Sequence, residues 1–136
     1  MSHSGRCLCG AVRYTAEGVE PHFHSCHCNM CRRWSGGPAM AASVASIAFD
    51  DDGAIGRYDS SAWAERGFCA KCGSHLFYRL KADERYFVPA GIFDEEKSFV
   101  FDHQVFIDEK PPFYTFSNQT HDMTGAELFA KYGSPE

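Results

Sequence analysis

Residues 66–78 read Arg66-Gly67-Phe68-Cys69-Ala70-Lys71-Cys72-Gly73-Ser74-His75-Leu76-Phe77-Tyr78. A C-x-x-C pair is followed at once by glycine, and then by a run, residues 74–80, that alternates well enough for a strand. A second pair, Cys7 and Cys9, lies about sixty residues upstream and is likewise followed by glycine, Gly10. Glycine suits such knuckles because it takes positive φ and exposes amides that can donate to thiolate sulfur. Two pairs supply four thiolates, which close a tetrahedral zinc site and leave no place for a further ligand. Cys7, Cys9, Cys69 and Cys72 therefore read as a structural metal site that ties the N-terminal strand to the middle of the fold. The C-x-C spacing of the first pair is unusual beside the common C-x-x-C.

The chain has seven cysteines, so three remain. They form the cluster Cys26-His27-Cys28-Asn29-Met30-Cys31. Three soft thiolates favour zinc among the common divalent metals. They over-neutralise its charge and leave a fourth position for an exogenous ligand, which is the pattern of catalytic zinc. A substrate thiol captured there would stay deprotonated at neutral pH and point at an electrophile. Other readings stand beside this one. His27, His22 or His24 can supply a fourth ligand and make the metal inert, and a bare C-x-x-C can serve redox chemistry. Arg32 and Arg33 follow Cys31 directly, and suit either recognition of a substrate carboxylate or two solvated charges on a turn. Trp34 covers the site or belongs to the core.

Bulk properties narrow the classes. At 136 residues the chain fits one domain, residues 1–136. The net charge is −5, from 18 acidic and 13 basic residues, so there is no basic footprint for nucleic acid or an anionic membrane. No run is apolar for long enough to span a bilayer, and the opening residues lack the apolar stretch of a signal peptide. A cytoplasmic location is expected. Thiols stay reduced there, so grouped cysteines read as metal ligands before disulfides.

Along the chain, residues 10–15, 39–49, 74–80, 86–93 and 99–107 read as strands, with residues 39–49 forming one strand or two. Pro89 marks an edge, a bulge or a strand end, and Asp50-Asp51-Asp52-Gly53 is a turn signal. A short helical turn is expected from Asn29 to Trp34. The best helix starts at Thr124, where Thr124 and Glu127 have capping-box spacing. Leu128 and Phe129 are expected to face the core and Gly133 to end the helix. The fold class is mainly β with little helix. His3 and His121 read as solvated or tail residues, and His103 as a hydrogen-bonding core residue.

Taken together, residues 5–14 (GRCLCGAVRY), 25–37 (SCHCNMCRRWSGG), 66–78 (RGFCAKCGSHLFY), 89–94 (PAGIFD), and His103 ahead of Lys110-Pro111-Pro112 resemble the glutathione-dependent formaldehyde-activating enzyme family. That family also includes centromere-protein-V-like proteins. The resemblance implies a zinc-binding β fold of the Mss4-like type. It implies a structural zinc on Cys7, Cys9, Cys69 and Cys72 and a catalytic zinc on Cys26, Cys28 and Cys31. Two zinc ions per chain and glutathione as co-substrate follow from it. So does a carbon–sulfur lyase reaction between small-molecule thiol and aldehyde, joining glutathione and formaldehyde as S-hydroxymethylglutathione. The adduct oxygen then needs a proton from water or a nearby acid, with His27 the first candidate and His75 and His103 behind it. One departure is Phe113, where many relatives carry tryptophan. The competing reading is a non-enzymatic zinc scaffold or partner-binding module of the same fold, since fold alone does not set function.

Overall fold

The computed structural model describes residues 2–133. In chain order the elements are β1 (Ser2–Arg6), β2 (Arg13–Glu17), β3 (His22–Cys26), α1 (Asn29–Ser35), β4 (Ala39–Val44), β5 (Ser46–Phe49), β6 (Ile55–Tyr58), β7 (Ala64–Cys69), β8 (His75–Leu80), β9 (Tyr86–Pro89), β10 (Val100–Val105), β11 (His121–Met123) and α2 (Gly125–Tyr132). The fold is mainly β, as expected. β1, β2 and β5 make a three-stranded antiparallel sheet, and the other eight strands form a second sheet in the order β11-β10-β3-β4-β9-β8-β7-β6. Pairing in the larger sheet is antiparallel except at β10, which runs parallel to both β3 and β11. No helix among these residues is long and apolar enough to cross a membrane.

Alternation explains how the sheets meet. β2 buries Tyr14 and Ala16 and exposes Arg13, Thr15 and Glu17, so one face of the small sheet is apolar. That face joins Phe23 of β3, Ala42 and Val44 of β4, and Val88 of β9 in one core cluster. Phe93 stands edge-on to Tyr14 at 5.6 Å and to Phe99 at 4.9 Å. A second cluster, Cys7, Val12, Cys69, Leu76 and Phe77, sits beneath the two cysteine knuckles. The opposite face of the large sheet carries His24, Ala41, Phe87, Tyr78 and Arg66. In register, His24 lies opposite Ala41, Tyr78 opposite Phe87, and Arg66 opposite Tyr78. All five line a broad open cavity of about 1640 Å³.

Several local expectations shift. The first strand is Ser2–Arg6, and the one expected over residues 10–15 runs instead over Arg13–Glu17. Residues 10–12 are occupied by the return of the cysteine knuckle, where the Cys7 amide donates to the Val12 carbonyl at 3.0 Å. Residues 39–49 divide into two strands that serve different sheets. β9 ends at Pro89, and the chain then makes a 3-10 turn over Ala90–Ile92. α1 forms over the expected residues. α2 starts at the Thr124 capping box and ends at Gly133. Leu128 is half-buried, but Phe129 is 39 % exposed, its ring meeting Phe106 in a T-shaped contact at 5.7 Å. His3 is no tail residue, because it pairs in β1 and lies between the Phe93 and Phe99 rings.

Candidate metal centres and the catalytic cavity

The two knuckles arrive at one place because their loops are built alike. Gly10 and Gly73 hold φ of +79° and +80°, which residues with a Cβ rarely adopt. Gly10 donates to the Cys7 carbonyl at 3.2 Å and Gly73 to the Cys69 carbonyl at 2.8 Å. These turns free other amides for sulfur: Val12 N–H points to Cys7 Sγ and Cys72 N–H to Cys69 Sγ, each at 3.4 Å. The four sulfurs lie within 4.8 Å of one another. Cys7–Cys9 is 3.6 Å and Cys9–Cys69 is 3.8 Å. A tetrahedron with Zn–S bonds of about 2.3 Å has edges of about 3.8 Å, so the donor set fits that metal. Hydrogen bonding from Ser74 brings the Cys72 thiol down to about 5, so one member of the set is ready as thiolate.

The second cluster is assembled by a strand end and a helix start. Cys26 closes β3, Cys28 is the N-cap of α1, and Cys31 lies in its first turn with its N–H donating to Cys28 Sγ at 3.3 Å. The three sulfurs also lie within 4.8 Å of one another, and among the described residues no fourth ligand atom joins them. The thiols share protons: hydrogen bonds from Cys26 and then Cys31 drive Cys28 far down, while Cys28 and Cys31 push Cys26 up. The set is soft, anionic and open on the cavity side, which suits a thiophilic dication with a free position.

The histidines take other roles. His27 is fully buried, with Nε2 2.7 Å from Gln104 Oε1 and Nδ1 2.7 Å from the Tyr114 hydroxyl. Gln104 Nε2 donates to Thr120 Oγ1 at 2.8 Å, which orients the amide and makes its oxygen the acceptor. His27 thus donates from Nε2 and accepts at Nδ1, and burial lowers its pKa. Both nitrogens are spent, so the ring is neither a fourth ligand nor a proton donor at the sulfurs. His22 joins Asp102 at 2.6 Å. The His24 ring lies tilted against His103 at 5.4 Å and is brought down to about 4 by burial, then by His103. His103 lines the cavity rather than the core and holds Asp102 at 2.8 Å.

The model of the glutathione-dependent formaldehyde-activating enzyme family matches residues 2–109. The chain belongs to that family. Among its relatives, a protein of Schizosaccharomyces pombe named an uncharacterized lyase is 38% identical over 130 residues, covering 93% of each chain. A putative glutathione-dependent formaldehyde-activating enzyme of Halomonas elongata is 32% identical over 88 residues, 57% of this chain and 55% of that protein. The chain thus spans nearly all of the first relative but about half of the second. A crystal structure of a Rhodobacter sphaeroides protein superposes with a TM-score of 0.58 at 26% identity, over 67% of this chain and 87% of that one. This member of the formaldehyde-activating family is therefore an enzyme by family, and the relative matched over 93% of its length is named an uncharacterized lyase.

Within this family member the charge beside the three cysteines comes from an unexpected place. Arg32 and Arg33 do not reach the cavity. They line a small separate pocket with Phe113 and Tyr114, and Arg32 Nε donates to the His27 carbonyl at 2.9 Å. The cation at the site is Arg66 of β7, whose Nη2 donates to Cys31 Sγ at 3.8 Å. Trp34 covers it at 5.7 Å and lines the cavity rather than the core. Arg66 stands three positions before Cys69, on the strand that leads into the second knuckle. Its only signal was strand alternation, which puts it on one face with Ala64 and Phe68.

Proposed function

We propose that the chain is a zinc-dependent carbon–sulfur lyase acting on a thiol–aldehyde adduct, with glutathione and formaldehyde as the leading pair and S-hydroxymethylglutathione as the adduct. The observation that carries this is the meeting of Cys26, Cys28 and Cys31 within 4.8 Å, without a fourth side-chain ligand among the described residues, at the wall of a large cavity. Residues 1–136 act as one domain. Cys7, Cys9, Cys69 and Cys72 hold a structural zinc, and Cys26, Cys28 and Cys31 hold a second, catalytic one. Zinc at the three cysteines would supply a fourth position at which a substrate thiol is kept as thiolate at neutral pH. The protein's own part is positional. β3 and α1 fix three sulfurs around one point, Trp34 and Tyr78 wall the approach, and the His27–Gln104–Thr120 chain stiffens the segment between Cys26 and Cys28.

Family membership and the names of the relatives support the reaction class. The cavity beside the cysteines counts against a partner-binding scaffold, which would present a broad apolar patch with no pocket there. A reducing compartment such as the cytoplasm suits seven free cysteines.

The test begins with metal analysis of protein purified under reducing conditions. Close to two zinc per chain is expected, falling to one in Cys28→Ser. Adduct formation is then followed with glutathione and formaldehyde, against the unaided reaction. Wild type should exceed that background and Cys28→Ser should match it. Turnover that survives intact in Cys28→Ser sinks the assignment.

A further inference from the structure

One charge in the cavity has no carboxylate partner among the described residues. Arg66 is 4 % exposed, and none of the ion pairs among the described residues includes it. Its nearest counter-charge is the sulfur cluster, reached by a single contact to Cys31 Sγ, and a buried charge with few partners is costly to hold. The structure nevertheless holds it in place. Tyr78 stacks at 4.9 Å and Trp34 at 5.7 Å, and Trp34 is itself stacked on His75 at 4.7 Å. Of the five donors on the fork, one reaches Cys31 Sγ, and the side chain lies on the cavity wall. Such an arrangement is built to receive an anion from the cavity.

The position decides which anion. A substrate sulfur that joins the three cysteine sulfurs sits beside Cys31, the residue Arg66 already touches. The carboxylates of a peptide-like thiol lie many bonds from its sulfur. The oxygen of an aldehyde under attack lies only two bonds away. We propose that Arg66 is the oxyanion-binding residue of the reaction, its guanidinium donating to the aldehyde oxygen as that oxygen becomes an alkoxide. In the forward direction the thiolate sulfur attacks the carbonyl carbon and the C–S bond forms. The π pair of the C=O bond moves onto oxygen, the alkoxide accepts from Arg66, and water supplies the proton of the hydroxymethyl group. In reverse, the alkoxide re-forms the C=O bond and sulfur leaves with the C–S pair. Nothing is oxidised or reduced. Preorganised donors of this kind typically contribute about 10²–10³ in kcat.

This rests on the thiol–aldehyde reading, so its test includes a readout that needs no turnover. Mercaptoacetate carries an oxyanion close to its sulfur, and ethanethiol carries none. Zinc-loaded wild type should bind mercaptoacetate at least tenfold more tightly by calorimetry. In Arg66→Gln that preference should fall to within twofold, with zinc content and ethanethiol affinity unchanged and kcat down about 100-fold. An equal preference in both proteins, or none in wild type, overturns the assignment. Loss of zinc from Arg66→Gln in step with activity also overturns it, because Arg66 is then only a counter-charge to the thiolates. Should Arg66→Gln fail to fold, Arg66→Lys replaces it: kcat down at least tenfold is expected, and kcat within threefold of wild type refutes the role. A wild type with the binding preference but no rate above background defeats the proposed reaction instead, leaving an anion site without that chemistry.

Discussion

The Tyr114 hydroxyl lies 2.7 Å from Nδ1 of His27, a ring buried between two cysteines of the open cluster. The contact joins the loop after Pro112 to the turn that positions the sulfurs, across 87 positions of sequence. Tyr114→Phe removes the donor and keeps the shape, so Nδ1 is left buried without a partner. A loss of about 1–3 kcal/mol of stability is expected from such an orphaned group. Urea unfolding measures it, and a change under about 0.5 kcal/mol would mean the bond is not made in solution.

The two cysteine groups should respond differently to loss of one sulfur. Cys69 is buried in the cluster that joins the knuckles to Val12 and Leu76. Cys69→Ser is expected to release zinc and to lower Tm by about 10 °C or more, since a structural site carries folding free energy. Cys28→Ser should move Tm by only about 3 °C and should remove activity. Differential scanning fluorimetry with parallel metal analysis separates the two, and equal Tm losses would contradict the division of labour.

Acid should weaken the fold partly through Asp102. Hydrogen bonding from His103, then from His22, holds its carboxyl below the ordinary value. A carboxyl lowered by folding contributes stability above its unfolded pKa of about 4, and that contribution is lost as pH falls through the lower folded value. Thermal melts between pH 5 and pH 2.5 should therefore decline less steeply for Asp102→Asn than for wild type. Parallel curves would show that Asp102 adds nothing to the acid limb.

Gly5 sits where strand β1 passes the buried Tyr14. A Cβ at this position would lie 2.2 Å from the Tyr14 hydroxyl oxygen and 2.3 Å from the Ile92 carbonyl oxygen, which bond to each other at 3.1 Å. Gly5→Ala should cost about 2 kcal/mol or more, because backbone and a buried ring must both move. Chemical denaturation gives the value, and a neutral result would mean β1 can shift away from the sheet without penalty.

Much of this was legible because metal sites constrain sequence tightly. Seven cysteines in three groups point to two clusters, and the sulfurs do converge as two groups. The Thr124–Glu127 capping box was also readable, since caps act through the local backbone, whereas Pro89 left an edge, a bulge or a strand end open and the strand read over residues 86–93 stops there. Strands that exist only by pairing were not. Ser2–Arg6 is polar, small and unpatterned, and it becomes a strand through its ladder with β2. His22–Cys26 is ordered by β4 and β10, and neither neighbour can be inferred from the residues HFHSC themselves. The role of Arg66 is hidden in the sequence for a related reason. An arginine in a strand is ordinarily placed at the surface, and only the assembled Trp34, Tyr78 and Cys31 show why this one is buried. Arg32 and Arg33 drew attention by adjacency to Cys31, but α1 turns them to its other side.

The strand that ends at Cys26 has its parallel partner in β10, about eighty positions further along the chain, so its last neighbour is made late. On the ribosome the two knuckles of the four-sulfur clasp are both available once Cys72 has emerged. At that moment Cys26, Cys28 and Cys31 still lack the strand that encloses their side of the sheet. A growing chain therefore passes through an interval with its four-sulfur group complete and its three-sulfur group uncovered. On the two-zinc reading proposed above, Cys26, Cys28 and Cys31 would be open to oxidants and to stray metal during that interval, and zinc and reducing power supplied during synthesis would set the yield of metal-loaded protein.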